Sequence, residues 1–293
     1  MLINPVLLKL EKEVALQTVL DAAETDQLFA CDFGIIGAKH FVEKPWGYER
    51  DRVVNIDHHA LTAVMRRQIS STNLALRYVS QNGIAQRGDT ILINHTDCDS
   101  ILSAAIMCGH LKSSPELGET AIAADHIGEE NATADLLQAL DEKRDYQFSL
   151  RNLRLLMAGD SLDATAKVLL DKRLAQRAAA KELVDKKAFH LQNGVAWIEL
   201  ESAIDDAFFS ALLPDAMVIL LFSPRPREAR KWNVKARLGI AAHPGLSVEQ
   251  LIKPIDGNFG GRWNAGSNKR GGSSVPPQEY AEAIVARLTK SEK

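Results

Sequence analysis

The sequence predicts an α/β fold, with a parallel-sheet domain over residues 1–187 and a smaller α+β domain over 188–293. Three observations carry this expectation. The runs at 28–31, 53–56 and 90–94 are largely apolar and do not alternate, as in strands buried on both faces. Stretches with helical spacing lie between and after them. At Asn193-Gly194 the texture turns strand-rich, and eight of the eighteen glycines fall from Gly239 onward.

Taken in order, residues 5–23 carry helical spacing through Val6, Leu7, Leu10, Val14, Leu16 and Leu20. The run 28–31 reads as a strand that ends at Asp32 and Gly34. Residues 38–51 read as a loop broken by Pro45 and Gly47. A second strand runs into Asp57-His58-His59, and 71–80 is helical. After the Gly83–Gly88 turn, the strand at 90–94 runs into His95-Thr96-Asp97-Cys98-Asp99. An apolar helix at 101–111 follows, with Asp99 and Ser100 as capping residues at its start. Residues 120–124 read as a short strand ending at Asp125-His126. From 131 to 187 the pattern is mostly helical, with Leu155-Leu156-Met157-Ala158-Gly159 ahead of Asp160 and an Ala/Lys/Arg-rich connector over 165–187. Beyond 194, strands are expected at 195–198, 216–222 and 232–237. A short helix is expected at 246–252, and a glycine-rich stretch spans 257–272.

Composition narrows the function classes. With 46% hydrophobic and 25% charged residues, the chain is an ordinary globular sequence that can bury a sizeable core. A net charge of −3 gives no global attraction to nucleic acid, so any polyanion must be held locally. Three widely spaced cysteines without a CxxC pair argue against a disulfide framework and for a reducing compartment. Residues 1–5 meet Lys9 and Glu11-Lys12-Glu13 too soon for a leader, and no apolar run approaches the ~18 residues of a membrane span. A cytoplasmic protein with no membrane partner is expected.

The chemistry concentrates at strand ends. Carboxylates and imidazoles at the carboxyl end of buried strands face the ligand crevice of an open α/β sheet. In extended chain, His95, Asp97 and Asp99 project to one side while Thr96 and Cys98 point away. Such a donor set suits Mn²⁺, Mg²⁺, Fe²⁺ or Zn²⁺. Cys98 is expected to pack as a small apolar residue. His40, His110, His190 and His243 are expected at the surface or in packing. Near the second domain's end, Gly260, Gly261, Gly271 and Gly272 allow close backbone approach to an anion, and Arg262, Lys269 and Arg270 add positive charge. Asn264, Ser267 and Asn268 offer polar contacts, and Trp263 either packs or stacks on a base. The stretch 225–231, with Arg225, Arg227, Arg230 and Lys231, is a second basic patch.

Together, Asp57-His58-His59, the His-x-Asp-x-Asp run at 95–99 and the glycine tail resemble the DHH phosphoesterase superfamily with its associated C-terminal domain called DHHA1. The likeness covers nearly the whole chain. In that family the His/Asp/Asp run comes first, whereas here it follows Asp32 and Asp57-His58-His59, so the motif order looks circularly permuted. Termini that lie close together at a surface make such a permutation physically feasible. The competing assignment treats Asp125-His126 as the degraded triplet and the one at 57–59 as coincidence.

The resemblance implies a parallel-sheet catalytic domain of DHH type and a dinuclear site, with two Mn²⁺ as the expected cofactor and Mg²⁺ as the alternative. One ion would be held by His95, Asp97 and a bridging Asp32. The other would be held by Asp99, Asp32, His58 and a further carboxylate, either Asp160 or Asp125. Asp57 would orient an imidazole, and His59 would face the phosphate. The implied activity is a metal-dependent phosphodiesterase acting on small nucleotides or short oligonucleotides. A non-hydrolytic nucleotide-binding protein and an inorganic pyrophosphatase are the alternatives, and the glycine tail argues against the latter. A homodimer is the oligomer to test for.

Overall fold

The computed structural model describes residues 3–59, 69–202, 204–225 and 231–291. The chain forms two compact units, Met1–Asp125 with Glu130–Arg173, and His126–Glu129 with Leu174–Lys293.

The first unit opens with β1 (Val6–Leu7), β2 (Glu13–Val14) and α1 (Leu16–Asp21), followed by β3 (Leu28–Cys31), β4 (Gly34–Ile35), β5 (Val42–Lys44), β6 (Gly47–Arg50) and β7 (Val53–Ile56). Next come α2 (Ser71–Asn82), β8 (Thr90–Ile93), α3 (Cys98–Met107), α4 (Pro115–Ile122), α5 (Ala132–Leu140), α6 (Tyr146–Ala158) and α7 (Ala164–Asp185). The division between the units falls within α7. The main sheet has the order β1-β8-β3-β7-β6-β5. Strands β1, β8, β3 and β7 are parallel, and β6 and β5 continue as an antiparallel hairpin.

Strands β3, β7 and β8 are buried at every position, which accounts for their largely apolar runs. α3 is buried along its whole length and contacts β3 and β8, while α2 contacts α3 and β7. Phe29, Phe33, Ile56, Leu74, Ile91, Leu92, Ile101 and Leu102 sit in one core cluster. Each such side chain contributes roughly 1.5–3 kcal/mol by leaving water.

Three local expectations are corrected here. Residues 5–23 are two short strands and one short helix, because Val6 and Leu7 pair with Leu92 and Ile93 at the sheet edge. The 38–51 segment contains the β5–β6 hairpin, in which Gly47 takes a φ of 132° and lies against the Asn55 backbone. Residues 120–124 are helical, and a π-helical turn over Ala123–Ile127 carries Asp125. A short apolar run of alanines and isoleucine does not distinguish a buried helix from a strand.

The second unit contains β9 (His190–Gln192), β10 (Val195–Glu199), α8 (Phe208–Leu212), β11 (Val218–Pro224), β12 (Trp232–Leu238), α9 (Val248–Ile252), β13 (Gly260–Gly261), β14 (Ala265–Ser267) and α10 (Pro277–Ser291). Its sheet order is β13-β14-β12-β11-β10-β9, with β10 and β11 parallel and the other pairs antiparallel. One face carries Val195, Val218, Leu220, Val234 and Ala236 against Tyr280 and Ile284 of α10. The other carries Ala196, Ile198, Ile219 and Leu221 with Phe208, Phe209 and Ala180. Of the basic patch at 225–231, residues 226–230 lie outside the described residues. Among the described residues, no helix is long and apolar enough to cross a membrane.

Candidate metal centre

Three parallel neighbours, β8, β3 and β7, end at the same edge of the first unit's sheet. Their registers pair Ala30 with both Leu92 and Asn55. The residues just beyond the three ends are therefore level: Asp32 after β3, Asp57-His58-His59 after β7, and Asn94-His95 after β8. Asp32 leaves its strand in the left-handed region with φ 60°. This conformation is uncommon for residues other than glycine, though aspartate tolerates it better than most. It is held from both sides. The Asp32 N–H donates to Ile56 O at 2.9 Å, and the Asn55 side-chain amide donates to Phe33 O at 3.0 Å and to Ala30 O at 3.3 Å.

The buried Asp32 carboxylate has two sides. Its Oδ2 lies 3.0 Å from His95 Nε2, which is itself 3.4 Å from Asp97 Oδ2. Its Oδ1 lies 3.8 Å from His58 Nε2, which is 3.7 Å from Asp99 Oδ2 and 3.6 Å from Asp125 Oδ2. Three groups have ligand atoms close enough to surround one ion: Asp32-His95-Asp97, His58-Asp99-Asp125 and Asp32-His58-His59. With metal–donor bonds of about 2.1 Å, neighbouring donors around one ion stand about 3 Å apart and opposite ones about 4 Å. The observed separations fall in or close to that range, so the donor set fits divalent cations by both chemistry and spacing.

The strand-like alternation expected for His95, Asp97 and Asp99 does not extend that far. Asp97 is the N-cap of α3, its Oδ1 accepting from the Ser100 N–H at 3.0 Å, and Asp99 already sits in the helix's first turn. The helical turn carries Asp99 away from His95 and toward His58. Asp97 and Asp99 thus belong to different groups. Cys98 is buried, and Cys31, Cys98 and Cys108 are all free thiols.

Of the two alternatives for the further carboxylate, Asp125 joins His58 and Asp99, placed by the π-helical turn. Asp160 does not join them. It is exposed beyond the C-terminal end of α6, just after Gly159 with φ 73° closes that helix. Asp57 Oδ1 takes a 2.6 Å hydrogen bond from His59 Nδ1, and Asp57 Oδ2 accepts from the His59 N–H at 3.3 Å. A carboxylate only accepts, so this contact fixes a proton on Nδ1. The imidazole that Asp57 orients is therefore His59. On the other flank, His95 Nδ1 lies 2.6 Å from Asn94 Oδ1, which directs Nε2 to Asp32 and Asp97.

Two residues that the motifs did not single out complete the arrangement. The Ser71 N–H donates to Asp99 Oδ2 at 2.7 Å, and the Thr72 N–H and hydroxyl donate to Asp99 Oδ1 at 2.7 and 2.6 Å. Ser71 Oγ also donates to Asp32 Oδ1 at 3.0 Å. In sequence they show only as part of Ser70-Ser71-Thr72-Asn73, a helix-start pattern that the structure closes as a capping box.

The electrostatics are those of excess negative charge. Burial, together with the Asp97 charge, pushes the Asp32 carboxyl up to about 6 against the pull of His95. Burial and the neighbouring Asp32 hold Asp99 well above the usual range, and burial and Asp99 do the same for Asp125. Asp97 behaves oppositely. Burial acts upward there too, but His95 and the Ser100 N–H outweigh it and hold the carboxyl below its usual range. Burial pulls His95 down, while Asp97 and Asp32 carry it well above an ordinary imidazole. Among the described residues, no lysine or arginine hydrogen-bonds or ion-pairs with Asp32, Asp97 or Asp99. Bound cations would supply the missing positive charge.

In the second unit, the glycine tail folds into the β13–β14 hairpin. A Cβ on Gly261 would lie 2.3 Å from Gly266 Cα, and one on Gly271 would lie 2.3 Å from the Asn258 side chain. Gly272 has φ 66° and sits against Arg225 and Trp232. Backbone packing therefore requires glycine at 261, the positive φ favours it at 272, and at 271 the added Cβ meets only the Asn258 side chain, whereas Gly260 faces open space. Arg262 and Asn264 are half-buried, and Lys269 and Arg270 are exposed. Asn268 is fully buried and ties Val234 N to Asp256, so it serves the fold. Trp263 is buried and stacks on His126 with ring centroids 6.3 Å apart.

No family model matches the sequence, and no curated protein matches it. Solved structures with partial likeness include the pGpG-specific phosphodiesterase PggH of Vibrio cholerae, at 12% identity over 73% of this chain and 88% of that one, with a TM-score of 0.47. An exopolyphosphatase-related protein of Bacteroides fragilis is 12% identical over 94% of this chain and 75% of that one, with a TM-score of 0.40. An uncharacterized protein of Helicobacter pylori G27 is 12% identical over 90% of this chain and 98% of that one, with a TM-score of 0.24.

Proposed function

We propose that this chain is a metal-dependent phosphoesterase, a phosphodiesterase that hydrolyses small nucleotides or short oligonucleotides at a dinuclear centre. The observation that carries the reading is the position of Asp32. One oxygen faces His95, beside Asp97, and the other faces His58, beside Asp99 and Asp125. A carboxylate between two donor groups is the arrangement of a bridging ligand. A pair of divalent cations, Mn²⁺ or Mg²⁺, would stabilise both the attacking and the leaving oxygen of an in-line displacement at phosphorus.

The chain's own residues supply the rest. Asp57 keeps a proton on His59 Nδ1 and orients the ring, whose Nε2 edge is assigned to the substrate's phosphate. Asn94 and Asp57 set the ring planes of His95 and His59. Substrate grip is assigned to Arg262, Asn264, Lys269 and Arg270, with Gly260 leaving backbone open to an anion. In this reading residues 1–187 form the catalytic domain and 188–293 the substrate-binding one. The placement of β8 beside β3, on the side away from β7, with Asp32 and His58 ahead of His95 in the chain, supports a permuted DHH-type arrangement.

The test is hydrolysis of a panel of phosphodiesters, phosphomonoesters and pyrophosphate with Mn²⁺, comparing the wild type with Asp97→Ala and His58→Ala. Loss of phosphodiester turnover in both variants is expected. Equal turnover in all three proteins would overturn the reading, and turnover of pyrophosphate alone would move the substrate class.

A further inference from the structure

The proposed ligands Asp99 and Asp32 share a neighbour that no ligand motif includes, the first turn of α2. Helix N-termini leave N–H groups without partners inside the helix. Ser70 caps α2 by accepting from Asn73 N and donating its own N–H to Asn73 Oδ1. The Ser71 and Thr72 N–H groups are left over from that box, and both point at Asp99. Thr72 adds its hydroxyl at 2.6 Å, so three donors hold one buried carboxylate. Ser71 uses its hydroxyl on Asp32 instead. One helical turn thus grips a carboxylate of the His58 group and the carboxylate that the two groups share.

We infer that Ser71 and Thr72 are positioning residues for the cation pair, and that they act on different parts of it. This rests on the dinuclear reading above. Each Asp99 oxygen has a direction spoken for by α2, so its remaining acceptor capacity is turned toward His58 and Asp125. Thr72 therefore governs the ion held by His58, Asp99 and Asp125, and does not touch the group of His95 and Asp97. Ser71 fixes the rotation of Asp32 about its side-chain bonds, so its hydroxyl governs both ions.

Partners of this kind alter cation affinity by about ten- to hundredfold when they are removed. The measurement is Mn²⁺ binding to the full-length, chelator-treated protein at pH 7.5, read from the electron paramagnetic resonance of free Mn²⁺, with thermal unfolding of the cation-free protein alongside. The wild type is expected to take up two equivalents. Thr72→Val should weaken one by about tenfold or more and leave the other unchanged. Thr72→Ser, which keeps the hydroxyl, should bind like the wild type. Ser71→Ala should weaken both equivalents.

Thr72→Val with two equivalents at wild-type affinity would overturn the inference. So would Thr72→Ser behaving like Thr72→Val, which would trace the effect to the methyl group. If Thr72→Val does not fold, as the melt would reveal, the contrast between Ser71→Ala and Thr72→Ser decides: Ser71→Ala binding normally overturns the inference, and a loss in both equivalents supports it. A wild type that takes up no Mn²⁺ would instead bring down the dinuclear reading itself.

Discussion

His95 Nε2 lies 3.0 Å from Asp32 Oδ2, although the two residues are far apart in the chain. The contact follows from strand register. β3 and β8 run in parallel with Ala30 opposite Leu92, so the residues just beyond their ends come level. Asp32 leaves its strand with φ 60°, and its carboxylate lies between His95 and His58. Much of the site's behaviour can be predicted from this one pair and the groups on either side of it.

Asp125 and Asp160 should respond in opposite ways. Asp125 shares a group with His58 and Asp99, whereas Asp160 is exposed beyond α6. Asp125→Ala is expected to weaken one Mn²⁺ equivalent by about a hundredfold, as loss of a direct ligand should cost at least as much as loss of an outer partner. Asp160→Ala should bind and turn over like the wild type. Calorimetric titration of both variants checks this, and the reverse pattern would reassign the ligand.

Acidity should stabilise the cation-free protein at this site. Asp32 is pushed up to about 6, so the folded state holds its proton more tightly than the unfolded chain does. The resulting stability is fully present below the unfolded value, near 4, and is lost as pH rises through about 6. Asp99 and Asp125, both raised, act with the same sign. Melting with chelator present from pH 4 to 7.5 should therefore show a decline that is shallower in Asp32→Asn. Mn²⁺ should flatten the decline in the wild type, because cations favour the ionised carboxylates. At a hundred times its dissociation constant, the ion should add about 2.7 kcal/mol.

Asp57→Asn should separate chemistry from cation binding. Asp57 holds His59 at 2.6 Å and stands in none of the metal-ligand groups among the described residues. Turnover should fall by about a hundredfold or more, in line with the loss of a positioned acid–base group. Mn²⁺ affinity should stay within about threefold, a margin set well inside the cost of losing a ligand's outer partner. A comparable loss of Mn²⁺ would make Asp57 a ligand instead.

Gly261→Ala tests the hairpin. The added Cβ would meet Gly266 Cα at 2.3 Å and Ala265 O at 2.4 Å, both backbone atoms that cannot swing aside. Overpacking of this kind costs about 1–3 kcal/mol, readable by urea unfolding. Gly260→Ala meets nothing within 4 Å and should be far milder for the fold. Any activity defect at Gly260 would then report on substrate.

The sequence by itself determined the elements whose signal is local. Largely apolar runs marked β3, β7 and β8, and their ends marked Asp32, His58, His95, Asp97 and Asp99, because a strand buried on both faces concentrates its polar residues where it leaves the core, the hydrogen-bonded Asn55 apart. Where the elements are very short, local signal failed. β1 has two residues and gains its pairing from β8, distant in sequence, and β5 has three and pairs with its hairpin neighbour β6. Only tertiary structure sets Asp125 beside His58 and Asp99 and leaves Asp160 exposed, since both follow similar apolar stretches. It also turned Asp99 from His95 toward His58 through the first turn of α3, and it set Ser71 and Thr72 against that carboxylate. Strand ends can be recognised from neighbours in the chain, whereas the direction of a side chain in a shared crevice depends on register and helix phase, which packing alone sets.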